Sequence, residues 1–149
     1  SFSKIVTIQN PYSLLNRTYE INMAEIAEME NIKLLAYSPL GFGVLTGKYI
    51  NNKPKDSRLS LWNRFNRYSN KNSKDSTLKY VELAKKYNIT PTQLALSFVN
   101  QQPFVTSNII GATNLSQLNE NIKSIDLILD EEIISEIESI HLSQPNPAP

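Results

Sequence analysis

The 149-residue chain contains no cysteine, a single histidine and only four glycines. Without cysteine it can form no disulfide, no thiolate metal site and no cysteine nucleophile, and His141 alone cannot build a histidine-rich metal site. We therefore predict a protein without a bound metal. The absence of disulfides also makes the cytoplasm the expected location.

Long apolar runs and a strong net charge are missing as well. No stretch approaches the roughly 18 uninterrupted apolar residues that a membrane span requires, and residues 1–10 do not resemble a signal peptide. The chain is 40% hydrophobic with a formal charge of +1, so it can bury a core and is not disordered. We expect a soluble, single partial domain over residues 1–149 that does not associate with membranes.

Strand and helix signals alternate along the chain. Short apolar runs rich in β-branched residues predict parallel strands at residues 4–9, 32–37 and 104–110, the first of them buried. Capping residues predict helices that begin at Asn22, at residue 75 or 76, and at Thr90, Asn114 and Asp130. The apolar positions expected to face the core are Met23, Ile26, Leu78, Val81, Ala84, Leu94, Ala95, Phe98, Val99, Leu115, Leu118, Ile122, Ile125, Ile133, Ile137 and Ile140.

Two segments show no clear period. Residues 143–149 are expected to form a flexible tail, and residues 50–76 a long basic loop with at most a turn of helix at residues 61–68. Residues 48–74 hold eight of the fifteen Lys and Arg residues against Asp56 alone, a distribution that would attract a polyphosphorylated ligand. Stacking of single-stranded nucleic acid on aromatic residues of this loop is the less favoured alternative, because the overall charge is only +1.

The alternation predicts an α/β fold with a parallel sheet, in which functional residues collect at the carboxyl ends of the strands. The stretch "YSPLGFGVLTGKY" (residues 37–49) follows the second predicted strand. Its glycines would let backbone approach an anion, and Lys48 would add a point charge. The helix entry at Thr113 offers a second place for phosphate, because its N–H groups have no partner within the helix. On spacing alone it is equally plausible that Gly41 and Gly43 simply turn the chain.

Four stretches, in this order, resemble the C-terminal part of aldo-keto reductases, in particular the bacterial Tas-like branch and, more distantly, potassium-channel β subunits: "IVTIQNPYSLLNR", "LLAYSPLGFGVLTGKY", "NIIGATNLSQLNENI" and "DEEIISEIESIH". The resemblance covers essentially the whole chain. It implies the C-terminal portion of a (β/α)8 TIM barrel, about three βα units plus extra helices. It also implies NADP(H) as cofactor and reduction of small aldehydes or ketones by hydride transfer.

The resemblance assigns cofactor-binding residues along the chain. Gln9 matches the glutamine that contacts the nicotinamide carboxamide, and Tyr37 matches the aromatic residue that stacks on the nicotinamide ring. Arg58 is matched to the arginine that clamps the adenosine phosphate, with Arg64 and Arg67 as competing candidates. The pyrophosphate loop corresponds to Ser38, Pro39, Leu40, Gly41, Gly43, Thr46 and Lys48, and the adenosine segment to Thr113, Gln117, Glu120 and Asn121.

The family's catalytic Asp-Tyr-Lys-His tetrad lies in the N-terminal half of its barrel and has no counterpart in this sequence. We therefore expect no catalytic residue in the chain, and no activity unless the N-terminal half of the barrel, or self-association, completes it. Candidate walls of the substrate pocket are Asn10, Tyr12, Trp62, Phe65 and Tyr68. The alternatives to an oxidoreductase portion are a non-catalytic nucleotide-binding or redox-sensing module and a vestigial fragment.

Overall fold

A computed structural model describes residues 3–62 and 66–149 of the chain. Three strands, β1 (Thr7–Pro11), β2 (Lys33–Tyr37) and β3 (Val105–Ile109), form one parallel sheet in the order β1-β2-β3. The predicted parallel α/β sheet is therefore confirmed. The first strand lies closer to the C-terminus than predicted and includes Pro11, which a strand at the sheet edge tolerates because one side needs no donor.

The described residues also form helices and short 3-10 turns. Short 3-10 turns occur at Thr18–Glu20, Gly41–Thr46 and Ser124–Asp126. The α-helices are α1 (Met23–Met29), α2 (Arg58–Leu61), α3 (Lys71–Lys86), α4 (Pro91–Asn100), α5 (Leu115–Lys123) and α6 (Glu131–Ser143).

Side-chain caps begin four of these helices. Thr90 Oγ1 accepts a hydrogen bond from Gln93 N at 3.1 Å in a complete capping box, and Asn114 and Asp130 cap α5 and α6 in the same manner, as predicted. The expected cap at Asn22 is wrong, since its side chain makes no capping hydrogen bond. The expected start of α3 is also wrong: Asn70 caps this helix, so the basic loop ends earlier than residue 76 and already contains α2.

The two faces of the sheet differ in burial. Leu34 and Ala36 of β2 are fully buried, whereas Leu35 and Tyr37 are only half-buried. Because alternate residues of a strand point to opposite faces, one face is covered by helices and the other is open. Gln9 of β1 is in register with Leu35 and is exposed, so the expectation of a fully buried first strand is wrong.

The core lies between the covered face of the sheet and the helices. Residues 94–99 of α4 are buried without interruption, and Phe98 stacks on Tyr12 with ring centroids 6.0 Å apart. Arg17 joins this core through Glu20, to which its Nε donates at 2.7 Å, and through Glu138 of α6 at 2.8 Å. Tyr12 also donates its hydroxyl hydrogen to Glu20. These contacts attach the segment after β1 to both α4 and α6.

The two margins of the molecule, around α1 and around α5, lack such cover. In α1, Met23, Ile26 and Met29 are exposed, and so are Leu115, Leu118, Ile122 and Ile125 in and after α5. The prediction that Met23, Ile26 and the four side chains in and after α5 face the core of the chain is therefore wrong in this structure. Leu78 of α3 is likewise exposed and Val81 only half-buried. The expected burial of Ile133 and Ile137 is confirmed.

The last residues do not extend away from the body, contrary to the expectation of a flexible tail over residues 143–149. Pro147 and Ala148 are buried, and Ala148 N donates to Leu15 O at 3.1 Å. The tail (residues 144–149) is thus held against the segment after β1.

Candidate functional site

The carboxyl ends of the three strands meet at Tyr37. This residue ends β2 and is in register with Pro11 of β1 and Ile109 of β3. Tyr12 N donates to Tyr37 O at 3.2 Å, which continues the pairing one residue beyond β1. The sheet thus brings the ends of all three strands to one edge, as expected for a functional site of a parallel α/β fold.

Gln9 and Tyr37 belong to the open face of the sheet. Gln9 is in register with Leu35, which lies two residues before Tyr37 and so on the same face of β2. The neighbouring residues on the other face, Leu34 and Ala36, are buried. An exposed amide and a half-buried aromatic ring therefore point to the same side near the same edge. A planar group with hydrogen-bonding edges could stack on Tyr37 and bond to Gln9.

Next along the chain is the glycine turn (residues 38–48). Its backbone enters the left-handed region repeatedly, at Ser38, Gly41, Phe42, Gly43 and Gly47. Hydrogen bonds inside the turn hold this path, among them Gly43 N to Leu40 O at 2.9 Å and Gly47 N to Val44 O at 3.0 Å. Phe42, at φ 57°, adopts a conformation that side chains disfavour, so packing from outside must support the turn.

Lys48 folds back over this turn. A Cβ atom placed on Gly43 would lie 3.0 Å from Lys48 Cε and Nζ, and Gly43 has φ +88°. Thr46 Oγ1 donates to Gly43 O at 2.8 Å. The glycine therefore leaves room for the ammonium group above the backbone, and the exposed Lys48 provides positive charge beside the turn.

The three candidate arginines are separated by the structure. Arg58, the first residue of α2, places its guanidinium 5.6 Å from the centre of the Phe42 ring, next to the glycine turn. Arg67 instead donates from Nε to Pro149 O at 3.0 Å in the tail. Arg64 lies outside the described residues. Of the two described candidates, Arg58 is the one beside the glycine turn.

Two candidate pocket walls are not available for a ligand. Tyr12 and Tyr68 are buried, with 0% and 1% of their surfaces exposed, so neither can line an open pocket and Tyr68 cannot stack on a nucleic-acid base. Burial raises the pKa of Tyr68 even though Ser38 hydrogen-bonds to it.

Asn10, another candidate wall, is in register with Ala36 on the covered face of the sheet. Trp62 is exposed, and Phe65 lies outside the described residues.

The third predicted segment forms the entry to α5. Thr113 donates to Gln117 Oε1 from both its backbone nitrogen and its hydroxyl, each at 3.0 Å. Asn121 is buried and donates to Gly111 O at 3.3 Å, so its side chain shapes the turn. Glu120 accepts from Thr90 Oγ1 at 2.6 Å and thereby connects α5 to the start of α4. Thr113 and Gln117 remain exposed.

Sequence reasoning missed the supports of the glycine turn. Tyr68 and Leu15 pack against Gly41, and the link between Glu120 and Thr90 was not foreseen either. No sequence pattern marks such contacts, because the partners are separated by 26 to 30 positions. Within the described ranges, no three His, Cys, Asp or Glu side chains are grouped so that they could hold a metal ion. None of the helices in these ranges is long and apolar enough to cross a membrane.

Comparison with known proteins identifies the family. A family model described as "Aldo/keto reductase family" matches residues 1–142. The chain belongs to the aldo/keto reductase family. It is 50% identical over 147 residues to the protein tas of Escherichia coli strain K12, a match that covers 98% of this chain and 42% of that protein. It is also 35% identical to a probable voltage-gated potassium channel subunit beta of Oryza sativa subsp. japonica, with 92% and 44% covered.

A solved structure shows the same fold. The glycerol dehydrogenase of Gluconobacter oxydans superimposes with a TM-score of 0.74 at 27% sequence identity, covering 99% of this chain and 45% of that chain. The three-stranded sheet with its helices is therefore the C-terminal portion of an aldo/keto reductase (β/α)8 barrel. The chain spans less than half the length of each relative named above.

Proposed function

We propose that the chain is the cofactor-binding portion of an NADP(H)-dependent oxidoreductase that reduces small aldehydes or ketones. The observation that carries this proposal is the position of Gln9 and Tyr37 on one open face, directly before a left-handed glycine turn with Lys48 folded over it. Aldo/keto reductases generally bind NADP(H), and these residues fit two parts of such a molecule: the nicotinamide ring at Tyr37 and the pyrophosphate at the turn.

Each residue has a distinct task in this proposal. Tyr37 would stack on the nicotinamide ring and Gln9 would hydrogen-bond to its carboxamide. Lys48 and the backbone of the glycine turn would hold the pyrophosphate, while Arg58, from beside Phe42, would pair with the adenosine phosphate. Thr113 and Gln117 would contact the adenosine end, with Asn121 and Glu120 fixing the helix that presents them.

The bound cofactor would supply a hydride to the carbonyl carbon of the substrate. The carbonyl oxygen would take a proton from a general acid, a role that we assign to no residue of this chain. Lys48 belongs to the glycine turn, and His141 lies in α6 with a pKa lowered by burial and then by the charge of Arg17. The proton donor would come from the N-terminal half of the barrel.

The open margins support an association of this kind. Exposed apolar side chains occur at both ends of the sheet, Ile5 and Val6 beside β1 and Ile122 and Ile125 beside β3. A groove of about 390 Å³ runs between β3 and the residues around α5. Because unpaired strand edges bind other strands, the proposed occupant of both margins is the N-terminal half of the barrel, and self-association is the competing outcome.

The proposal is tested by titrating the chain with NADPH, with and without a separately expressed N-terminal segment of an aldo/keto reductase barrel. Cofactor fluorescence reports binding, and sedimentation reports association. We expect Lys48→Met to weaken NADPH binding by about tenfold or more, since it removes a charge-assisted hydrogen bond. Lys85→Met is the matched control, because Lys85 is an exposed lysine near the end of α3, outside both the turn and the basic loop. Equal effects of both variants, or no binding in any combination, would refute the proposal.

A second function is favoured by the similarity to the potassium channel subunit. In that case the chain would bind the nucleotide as a sensor without turnover. The completed barrel would then bind NADPH with the same dependence on Lys48 but would not oxidise it in the presence of aldehydes. Oxidation of NADPH, followed at the absorbance of its reduced ring, distinguishes the two functions.

A further inference from the structure

The tail (residues 144–149) contacts the segment that carries Tyr68. Pro147 O accepts hydrogen bonds from Ser73 Oγ at 3.1 Å and from Asn70 Nδ2 at 2.8 Å. Arg67 Nε donates to Pro149 O at 3.0 Å. These three donors flank Tyr68 on both sides along the chain, and Tyr68 itself is buried. The tail therefore fixes the segment in which Tyr68 lies.

The same tail holds a second segment. Ala148 N donates to Leu15 O at 3.1 Å, and Asn146 Oδ1 accepts from Arg17 N at 2.6 Å. Leu15 is fully buried and belongs to the segment after β1. Four residues at the end of the chain (146–149) thus bond to two segments that are at least fifty positions apart in the sequence.

Both segments converge on Gly41 of the glycine turn. A Cβ atom on Gly41 would lie 3.3 Å from Tyr68 Cδ1 and 3.5 Å from Leu15 Cδ1. The ring of Tyr68 also meets that of Phe42 edge to face, with centroids 4.9 Å apart. The left-handed residues Gly41 and Phe42 are therefore packed against the two side chains whose segments the tail secures.

We propose that the tail is a strap that fixes the glycine turn through Tyr68 and Leu15, and that Tyr68 is a positioning residue for the cofactor phosphate. Left-handed backbone at a non-glycine residue is unfavourable, so the turn keeps its shape only where packing holds it. Tyr68 and Leu15 provide that packing, and the tail is hydrogen-bonded to the segments that carry them. The inference rests on the proposed function, because it treats the glycine turn as the phosphate site.

Hydrogen exchange of the free chain tests the strap without any cofactor. The amides of Gly43, Leu45 and Gly47 are bonded within the turn and report its integrity. Deletion of residues 145–149 and Tyr68→Ala should each speed their exchange by about tenfold, the range expected for coupling between sites. Tyr68→Phe keeps the ring against Gly41 and loses only the hydrogen bond with Ser38, so it should restore most of the slow exchange. Unchanged exchange in the turn after deletion of the tail would overturn the proposal.

Two further measurements keep the result unambiguous. The amides of α4 should exchange at the same rate in all variants, which shows that the chain remains folded. If the deletion unfolds the chain, Ser73→Ala, which removes one buried donor to Pro147 O, takes its place and should speed exchange in the turn by about threefold. No change in that variant would overturn the strap.

NADPH titration separates the strap from the proposed function. If the unmodified chain binds NADPH, alone or with the N-terminal segment, Tyr68→Ala and the deletion should each raise the dissociation constant about tenfold. Tyr68→Phe, which loses only the hydrogen bond with Ser38, should restore most of the affinity. If the unmodified protein binds no NADPH, the proposed function fails while the exchange rates still decide whether the strap exists. An unchanged dissociation constant together with faster exchange would overturn the positioning role of Tyr68.

Discussion

The packed interior and the two margins carry similar apolar patterns but differ in burial. In α4, Leu94 is 0% exposed, because the sheet lies on one side of this helix and α3 and the residues around α5 lie on others. In α5, Leu115 is 77% exposed although it belongs to an equally regular apolar stripe. The pattern alone therefore identifies an apolar face, but the neighbouring elements decide whether that face is covered.

The comparison also explains where the candidate site lies. Tyr37 is the last residue of the central strand β2, which is hydrogen-bonded to β1 on one side and to β3 on the other. The position of Tyr37 is therefore fixed by the well-packed part of the molecule. Thr113 and Gln117 lie on the margin, and the residues around them are exposed. The nicotinamide and phosphate contacts proposed above thus rest on the interior, and the adenosine contacts rest on an open margin.

The largest expected effect is a loss of stability from a cavity in the interior. Leu94→Ala should lower the free energy of unfolding by about 2–5 kcal/mol, because it removes a fully buried side chain. The matched change on the margin, Leu115→Ala, should alter it by less than about 0.5 kcal/mol. Urea unfolding followed by circular dichroism measures both. Similar losses in the two variants would mean that α5 is covered in solution.

A smaller difference is expected between two glycines. Gly41→Ala should destabilise the chain by about 1–2 kcal/mol or more, because Gly41 has φ +54° and a Cβ atom there would crowd Tyr68. Gly111→Ala is the control on the margin, where nothing lies within 4 Å of an added Cβ. Thermal unfolding of both variants checks this. A stable Gly41→Ala variant would contradict the described packing of the turn.

The smallest effect concerns His141 at the interior side of α6. Burial, and then the charge of Arg17, lower its pKa below the ordinary value of 6.5. The unfolded chain therefore binds this proton more readily, so stability is complete above the ordinary pKa and falls as the pH drops through about 6.5. Unfolding free energies at pH 8 and pH 6 should show this fall, and His141→Gln should reduce it. An identical fall in the variant would rule out His141 as its source.

Local signals in the sequence predicted much of the fold. Thr90, Asn114 and Asp130 cap their helices as expected, since a cap depends only on residues three positions away. The alternation of strands and helices likewise predicted the parallel sheet. The cap predicted at Asn22 is wrong, and α3 begins earlier than predicted because Asn70 caps it.

Long-range contacts could not be predicted in the same way. Ser73 and Pro147 are hydrogen-bonded although 74 positions separate them, and no periodicity indicates such a pair. In the sequence Tyr68 is an aromatic residue of a basic loop, yet in the structure it is buried against Gly41 and Phe42. For the candidate site, the sequence placed Gln9, Tyr37 and Lys48 in one region, but the support beneath the turn emerged only from the structure.

The most direct test of the account is to map NADPH on the chain by amide chemical shifts, with the N-terminal segment of the barrel added if binding requires it. We expect the largest shifts at Gln9, Tyr37 and the glycine turn, with smaller shifts at Thr113 and Gln117 and none along α3. Shifts confined to α3 or to the tail, or no shifts in the assembled protein, would contradict the claim that the carboxyl edge of this sheet binds the cofactor.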